Sequence, residues 1–280
     1  MSAAPAASPA FSKGLVGVIG AQTELSSVDG TNGILTYRGL NIDQLAGQAL
    51  FEEVAYLLLN SKLPSQAELK AFQQQLAENR SLPAPVVEHV QAAPKSATPM
   101  DVLRTAVSAL AAFDPDAGNH SVEAARRMGL RLTAQVPIIV AAHTALRKGA
   151  AVPVPEMSLP HAANILWMLT GKRPTEEAAL MLDRDLILHA EHGSNASSFA
   201  ARVVIGTEAS FHAAMTAAIA ALSGAAHGGA AEDVMRMAKE IGDPANAAAY
   251  VKARRAAGEA VTGFGHRVYR AEGPRARHMR

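Results

Sequence analysis

Along most of this chain the apolar positions recur at helical spacing. From about residue 41 onward they return every three or four positions, the signature of amphipathic helices. The pattern predicts helices over 41–50, 51–60, 65–79 and 84–93, with Pro64 and Pro83 as breaks. A helix begins near Thr98 and Met100 and stops before the Asp114-Pro115 turn. A long one spans 121–147 and is expected to kink at Pro137, and 161–170 follows, ended by Gly171. Thr175 is a helix N-cap, with Glu176 and Glu177 in the first turn, and that helix is expected to reach Gly193. Helices over 195–205 and 209–222 carry almost no charge, which places them at the centre of the fold or of a subunit interface. Two more cover 228–241 and 245–257, before a glycine-rich turn at 263–265. Residues 15–39 break the pattern. They are glycine-rich with short β-branched pieces, and Asp29-Gly30 and Asn32-Gly33 mark turns between small strands.

Composition sharpens this picture. Alanine fills about one position in five and aromatics only 4% of the 280 residues, which favours close-packed helices and an all-α class with minor β near the N-terminus. The formal net charge of +1 and the absence of a basic run speak against a nucleic-acid binder. There is no cysteine, which excludes disulfides, cysteine nucleophiles and Cys-ligated metal sites and fits a cytoplasmic location. No apolar run reaches the roughly 18 residues of a membrane span. The first 14 residues lack the basic and apolar regions of a secretory signal and are expected to be a disordered lead-in.

Motifs for nicotinamide, nucleotide, zinc-protease or serine-hydrolase chemistry are missing. His189 and His192, three apart on the predicted helix, form a possible metal pair. No nearby carboxylate cluster completes one, so a structural role is favoured and no metal is expected. Three histidines stand out instead: His192 in EHGSNASS, His227 in AAHGGAAED and His266 in GFGHRVYR, 35 and 39 residues apart. Each sits beside glycine at a helix–loop junction, where backbone and ligand approach closely. Histidine can hydrogen-bond a carbonyl oxygen or move a proton near neutral pH. Arg267, Arg270, Arg275, Arg277 and Arg280 surround the third, and guanidinium forks grip carboxylates. Any one of these alone is more often structural. Together they point to a site for a small anionic oxo-acid.

These motifs, with ELSSVDGTNGILTYRGLNIDQLA, FEEVAYLLLNSKLP and MDVLRTAVSAL, closely resemble the citrate synthase family over nearly the whole chain from Leu15. The resemblance implies a helical fold, with 15–228 forming the N-terminal portion of a large domain and 229–280 the start of a small one. It implies a homodimer packed through central helices around 176–192 and 196–222. It also implies an acyltransferase of the tricarboxylic acid cycle that condenses acetyl-CoA with oxaloacetate and needs no cofactor. His227 matches the residue that hydrogen-bonds the thioester carbonyl, and His266 the one that polarises the oxaloacetate ketone. His192 and Arg275 match ligands of oxaloacetate. Gly263, Phe264, Gly265 and Arg267 lie where the family approaches CoA.

The pattern departs from the family in three places. Gly273 and Ala231 replace a usual aspartate and asparagine. The family's general-base aspartate belongs to a segment beyond the third-histidine motif, so the small domain is expected to be incomplete and condensation by these 280 residues impaired. Glu191 and Glu232 are the adjacent carboxylates, expected to act as cap or surface residues. A 2-methylcitrate synthase using propionyl-CoA and a non-catalytic oxo-acid-binding scaffold are the competing readings.

Overall fold

The computed structural model describes residues 20–225, 227–263 and 268–279, with the backbone alone at 230 and 231. The expected lead-in at 1–14 falls outside these residues, as do Phe264, Gly265, His266 and Arg267.

The chain opens with a small antiparallel sheet of β1 (Ser26–Asp29), β2 (Ile34–Tyr37) and β3 (Leu40–Asn41), paired in that order. Ser26 lies opposite Tyr37 and Asp29 opposite Ile34, so the four residues between them form the turn. The Asp29 carboxylate accepts from the backbone of Thr31 and Asn32, and Gly33 takes a left-handed φ of 66°. The two turn dipeptides read from sequence therefore do the expected work.

Helices follow: α1 (Ile42–Leu45), α2 (Phe51–Asn60), α3 (Gln66–Glu78), α4 (Ala84–Ala92), α5 (Pro99–Leu110), α6 (Val122–Arg147), α7 (His161–Thr170), α8 (Glu176–His189), α9 (Ala196–Ile205), α10 (Phe211–Leu222), α11 (Gly229–Ile241) and α12 (Ala247–Ala256). Their starts are written in side chains. Ser65, Thr98, Ser121, Thr175, Asn195 and Ser210 each cap a helix by accepting from the third backbone N–H beyond. Gly171 ends α7 in the left-handed region.

Two expected boundaries move. The segment 41–50 is helical only over Ile42–Leu45, because Gly47 turns the chain at φ 85°. Helix α8 stops at His189, four residues before Gly193. His189 and His192 therefore do not share a helix: His189 closes α8 with its ring on the Asp185 carbonyl, and His192 lies in the loop beyond.

Helix α6 is the hub, continuous through Pro137, which leaves the Thr133 carbonyl without its usual donor. Its 26 residues span about 39 Å. Leu132, Ile139 and Ala142 pack against α4, α5 and α10; Leu130 and Ala134 face α2 and α3; Ile138 and Ala141 meet Met168 of α7. A separate core joins Leu35 and Tyr37 of the sheet to Val54 and Leu57 of α2 and to Ile187 and Leu188 of α8.

Helix α10 joins the α4–α5–α6 core through Phe211, Met215 and Ile219, but much of α9 and the end of α10 stay uncovered. The two helices pack on each other and, through α10, on α5, while Val203, Ile205 and Leu222 remain 55%, 41% and 40% exposed. Their near-absence of charge is not accounted for by burial inside one copy.

Candidate active site

Three segments converge near the N-terminal end of α9. The first is the loop between α8 and α9, which carries His192. Tyr37, fully buried, donates its hydroxyl hydrogen to the Ile187 carbonyl at 3.0 Å and accepts from the Glu191 N–H at 3.3 Å. Burial pushes this phenol up to about 12, so it is a neutral strut. Glu191 Oε1 in turn accepts from Ser26 Oγ at 2.9 Å and from the Gly193 N–H at 2.6 Å. With Gly193 at φ 69° and Asn195 capping α9, both sides of His192 are fixed by the sheet and the next helix.

The second segment is the turn after α10. Its backbone closes on itself: the Gly228 N–H donates to Leu222 O at 3.1 Å and the His227 N–H to Gly224 O at 2.9 Å. A β-carbon on Gly228 would overlap the Leu222 carbonyl, so the glycine after His227 is demanded by the turn. His227 Nε2 lies 2.9 Å from Ser197 Oγ in the first turn of α9. His192 and His227 are thus anchored at the same helix end.

The third segment follows the third histidine. The Arg270 N–H donates to Gly30 O at 2.7 Å. A side chain on Gly33 would come within 2.6 Å of Glu272 O. Farther on, the Asp43 carboxylate receives Arg277 at 2.8 Å and His278 Nε2 at 2.6 Å. Tyr269 is 5% exposed and its hydroxyl lies 2.8 Å from His192 Nε2. The Arg275 guanidinium lies near enough to lower the Tyr37 and Tyr269 phenols, against the larger raising effect of burial.

Of the residues singled out by sequence, the structure brings His192, His227 and Arg275 to this region. Gly263 is described, at φ 90°, beside Val234 of α11. His266, Phe264, Gly265 and Arg267 lie outside the described residues. Sequence reasoning missed Tyr37, Ser197 and Tyr269. Ser197 and Tyr269 sit inside two of the three quoted histidine motifs, and Tyr37 precedes the Arg-Gly that ends the sheet turn. Among the described residues no group of three His, Asp or Glu is placed to hold a metal ion. No helix among them is long and apolar enough to cross a membrane.

Residues 14–280 match the family model described as "Citrate synthase, C-terminal domain". The chain belongs to the citrate synthase family. A citrate synthase of Deinococcus radiodurans is 42% identical over 270 residues, covering 96% of this chain and 72% of that relative. A 2-methylcitrate synthase of Mycobacterium tuberculosis is also 42% identical, over 262 residues, covering 94% of this chain and 66% of the relative. Among solved structures, citrate synthase from Pyrobaculum aerophilum superposes with a TM-score of 0.89 at 40% identity, over 95% of this chain and 69% of that one. Citrate synthase from Thermoplasma acidophilum, solved as a ternary complex with carboxymethyl coenzyme A and oxaloacetate, gives 0.88 at 30% identity, over 95% and 70%. The mostly helical architecture with its small three-stranded sheet is therefore the citrate synthase fold.

Proposed function

We propose that this chain supplies the oxaloacetate-binding and carbonyl-polarising groups of a citrate synthase. The observation that carries the reading is that the Ser197 hydroxyl holds the His227 ring at the N-terminal end of α9, while His192, three residues before the Asn195 cap, has its ring on the Tyr269 hydroxyl. In the reaction, a base takes a methyl proton from acetyl-CoA while His227 hydrogen-bonds the thioester oxygen. The resulting enol carbon attacks the oxaloacetate ketone, whose oxygen takes up a proton with His266 as donor. Hydrolysis of the thioester then gives citrate and CoA. His192 and Arg275 hold oxaloacetate. Preorganised donors at a developing oxyanion are worth about 100- to 1,000-fold each, and positioning adds to this.

The carboxylates beside the histidines are poorly suited to the base. Glu191 Oε1 is engaged by Ser26 and Gly193, and Glu232 is exposed in the first turn of α11. We therefore propose that these 280 residues alone bind oxaloacetate but condense it slowly. Calorimetry with oxaloacetate, paired with CoA release from acetyl-CoA, tests this. Binding lost in His192→Ala supports the site; turnover at the rate of a complete enzyme, abolished by Glu191→Gln, would move the base to Glu191. Binding with no turnover even when a C-terminal segment from a relative is supplied would favour an oxo-acid-binding scaffold.

Propionyl-CoA is the second acyl donor to try, because the citrate and 2-methylcitrate synthase relatives are equally similar at 42%. The exposed apolar residues Val203, Ile205 and Leu222, with Leu180 and Met181 of α8, support a homodimer through α8, α9 and α10. Sedimentation should show a dimer that Val203→Lys weakens.

A further inference from the structure

Tyr269 stands apart from the other residues of the third segment. Its ring meets His192 edge-on, with centroids 5.6 Å apart and planes at 72°, and its hydroxyl lies 2.8 Å from Nε2. A neutral imidazole carries its proton on one nitrogen and accepts on the other; a phenol donates more readily than it accepts, so the Tyr269 hydroxyl held at Nε2 favours the form with the proton on Nδ1. A hydroxyl on a mobile side chain could not do this. Tyr269 is not mobile in that sense: only 5% of it is exposed, and its neighbours fix the backbone on both sides. On one side, Gly30 leaves no room for a β-carbon against the Val268 carbonyl; on the other, the Arg270 N–H is bonded to Gly30 O. Burial keeps the phenol protonated, so its O–H stays available, and the nearby Arg275 charge makes it a better donor.

We infer that Tyr269 is a positioning residue for His192: its hydroxyl fixes the tautomer and the ring plane of that imidazole. It thereby ties recognition of the oxo-acid at His192 to the docking of residues 268–273 on the β1–β2 turn. This rests on the reading of His192 as an oxaloacetate ligand, but only in part, since the hydrogen bond exists without substrate.

Two measurements on the full 280-residue chain separate the claims. The first is a long-range ¹H–¹⁵N spectrum of the imidazoles, with His192 assigned by its absence in His192→Ala. The wild type should show one neutral tautomer at His192. Tyr269→Phe should show a mixture and a titration midpoint moved by about half a pH unit or more. The second is calorimetry, where Tyr269→Phe should bind oxaloacetate about tenfold more weakly, the size of one hydrogen bond. Gly30→Ala, which displaces the Val268 carbonyl while keeping the phenol, should reproduce both changes. It also stands in should Tyr269→Phe fail to fold. A Tyr269→Phe protein that melts earlier but keeps the wild-type His192 tautomer and titration would overturn the inference and leave Tyr269 a packing residue. A wild type that shows one tautomer but does not bind oxaloacetate would instead refute the substrate reading and leave the positioning role standing.

Discussion

Two clusters of ionisable groups, one at the junction of α2, α7 and α8 and one in the candidate active site, are built on opposite principles. At the junction of α2, α7 and α8, the partners are backbone groups. Glu52, 2% exposed, accepts the His161 N–H at 2.9 Å and so caps α7. Asp183 accepts the Phe51 N–H at 3.0 Å and caps α2. Arg80, also 2% exposed, donates to the carbonyls of Glu156 at 2.6 Å and Leu159 at 2.9 Å. These charges clamp helix ends and loops through backbone partners, while Glu52 Oε2 and Arg80 Nε stay buried without one. In the candidate active site the partners are hydroxyls and the histidines are only partly buried. A buried charge bonded to backbone reads as architecture. A half-buried imidazole bonded to a hydroxyl reads as chemistry.

The largest break in this comparison is Arg80→Ala. Two carbonyls lose their donors and the nearby Glu52 carboxylate loses a compensating charge. We expect a loss of about 3–5 kcal/mol in unfolding free energy by urea titration. A loss below about 1 kcal/mol would mean that water replaces the guanidinium freely, and the junction would not be a clamp. His192→Ala is the matching change in the site. It should leave the unfolding free energy within about 0.5 kcal/mol of wild type yet weaken oxaloacetate binding by roughly 10- to 100-fold, as for a hydrogen bond to a charged ligand. A variant that unfolds instead would show that His192 belongs with the architectural group.

The two regions also differed in how legible they were. Helix periodicity and caps located nearly every element, because each capping side chain acts on its own local backbone. The histidine motifs located the site, because glycine beside histidine is a local demand of the turn, as at Gly228. The junction was invisible: Glu52, Arg80 and Asp183 are far apart in sequence, and each looks like an ordinary charge on a helix or just beyond one until the helices meet. Tyr269 was missed for a similar reason. It lies within a quoted motif, but its partner His192 is 77 positions away. The α8 overrun to Gly193 had another cause. Gly193 suits a helix C′ position and set the expected end there, whereas Glu191 lies outside the helix, with bonds to Ser26 and Tyr37 in the sheet.

The smallest expected effect is a pH dependence confined to the junction. Burial pushes His161 down to about 4, so its neutral form stabilises the fold fully above pH 6.5, and this is lost as pH falls towards 4. Burial pushes Asp183 up to about 6, so its ionised form penalises the fold above pH 6, and this penalty is relieved as pH falls towards 3.8. Between pH 6 and 4 the two groups oppose each other, and the wild type should change little in that window on their account. Asp183→Asn removes the relief but leaves the His161 loss, while its amide oxygen can still accept the Phe51 N–H. The variant should therefore lose stability more steeply than wild type from pH 6 to 4.5, by on the order of 1–2 kcal/mol. Urea midpoints at pH 7.5, 6.0 and 4.5 measure the difference. Parallel curves for the two proteins would show that the Asp183 carboxyl titrates in the folded chain much as it does in the unfolded one. The cap on α2 would then be wetter than its burial implies, and the contrast between a dry clamp and an open site would narrow to Glu52 and Arg80.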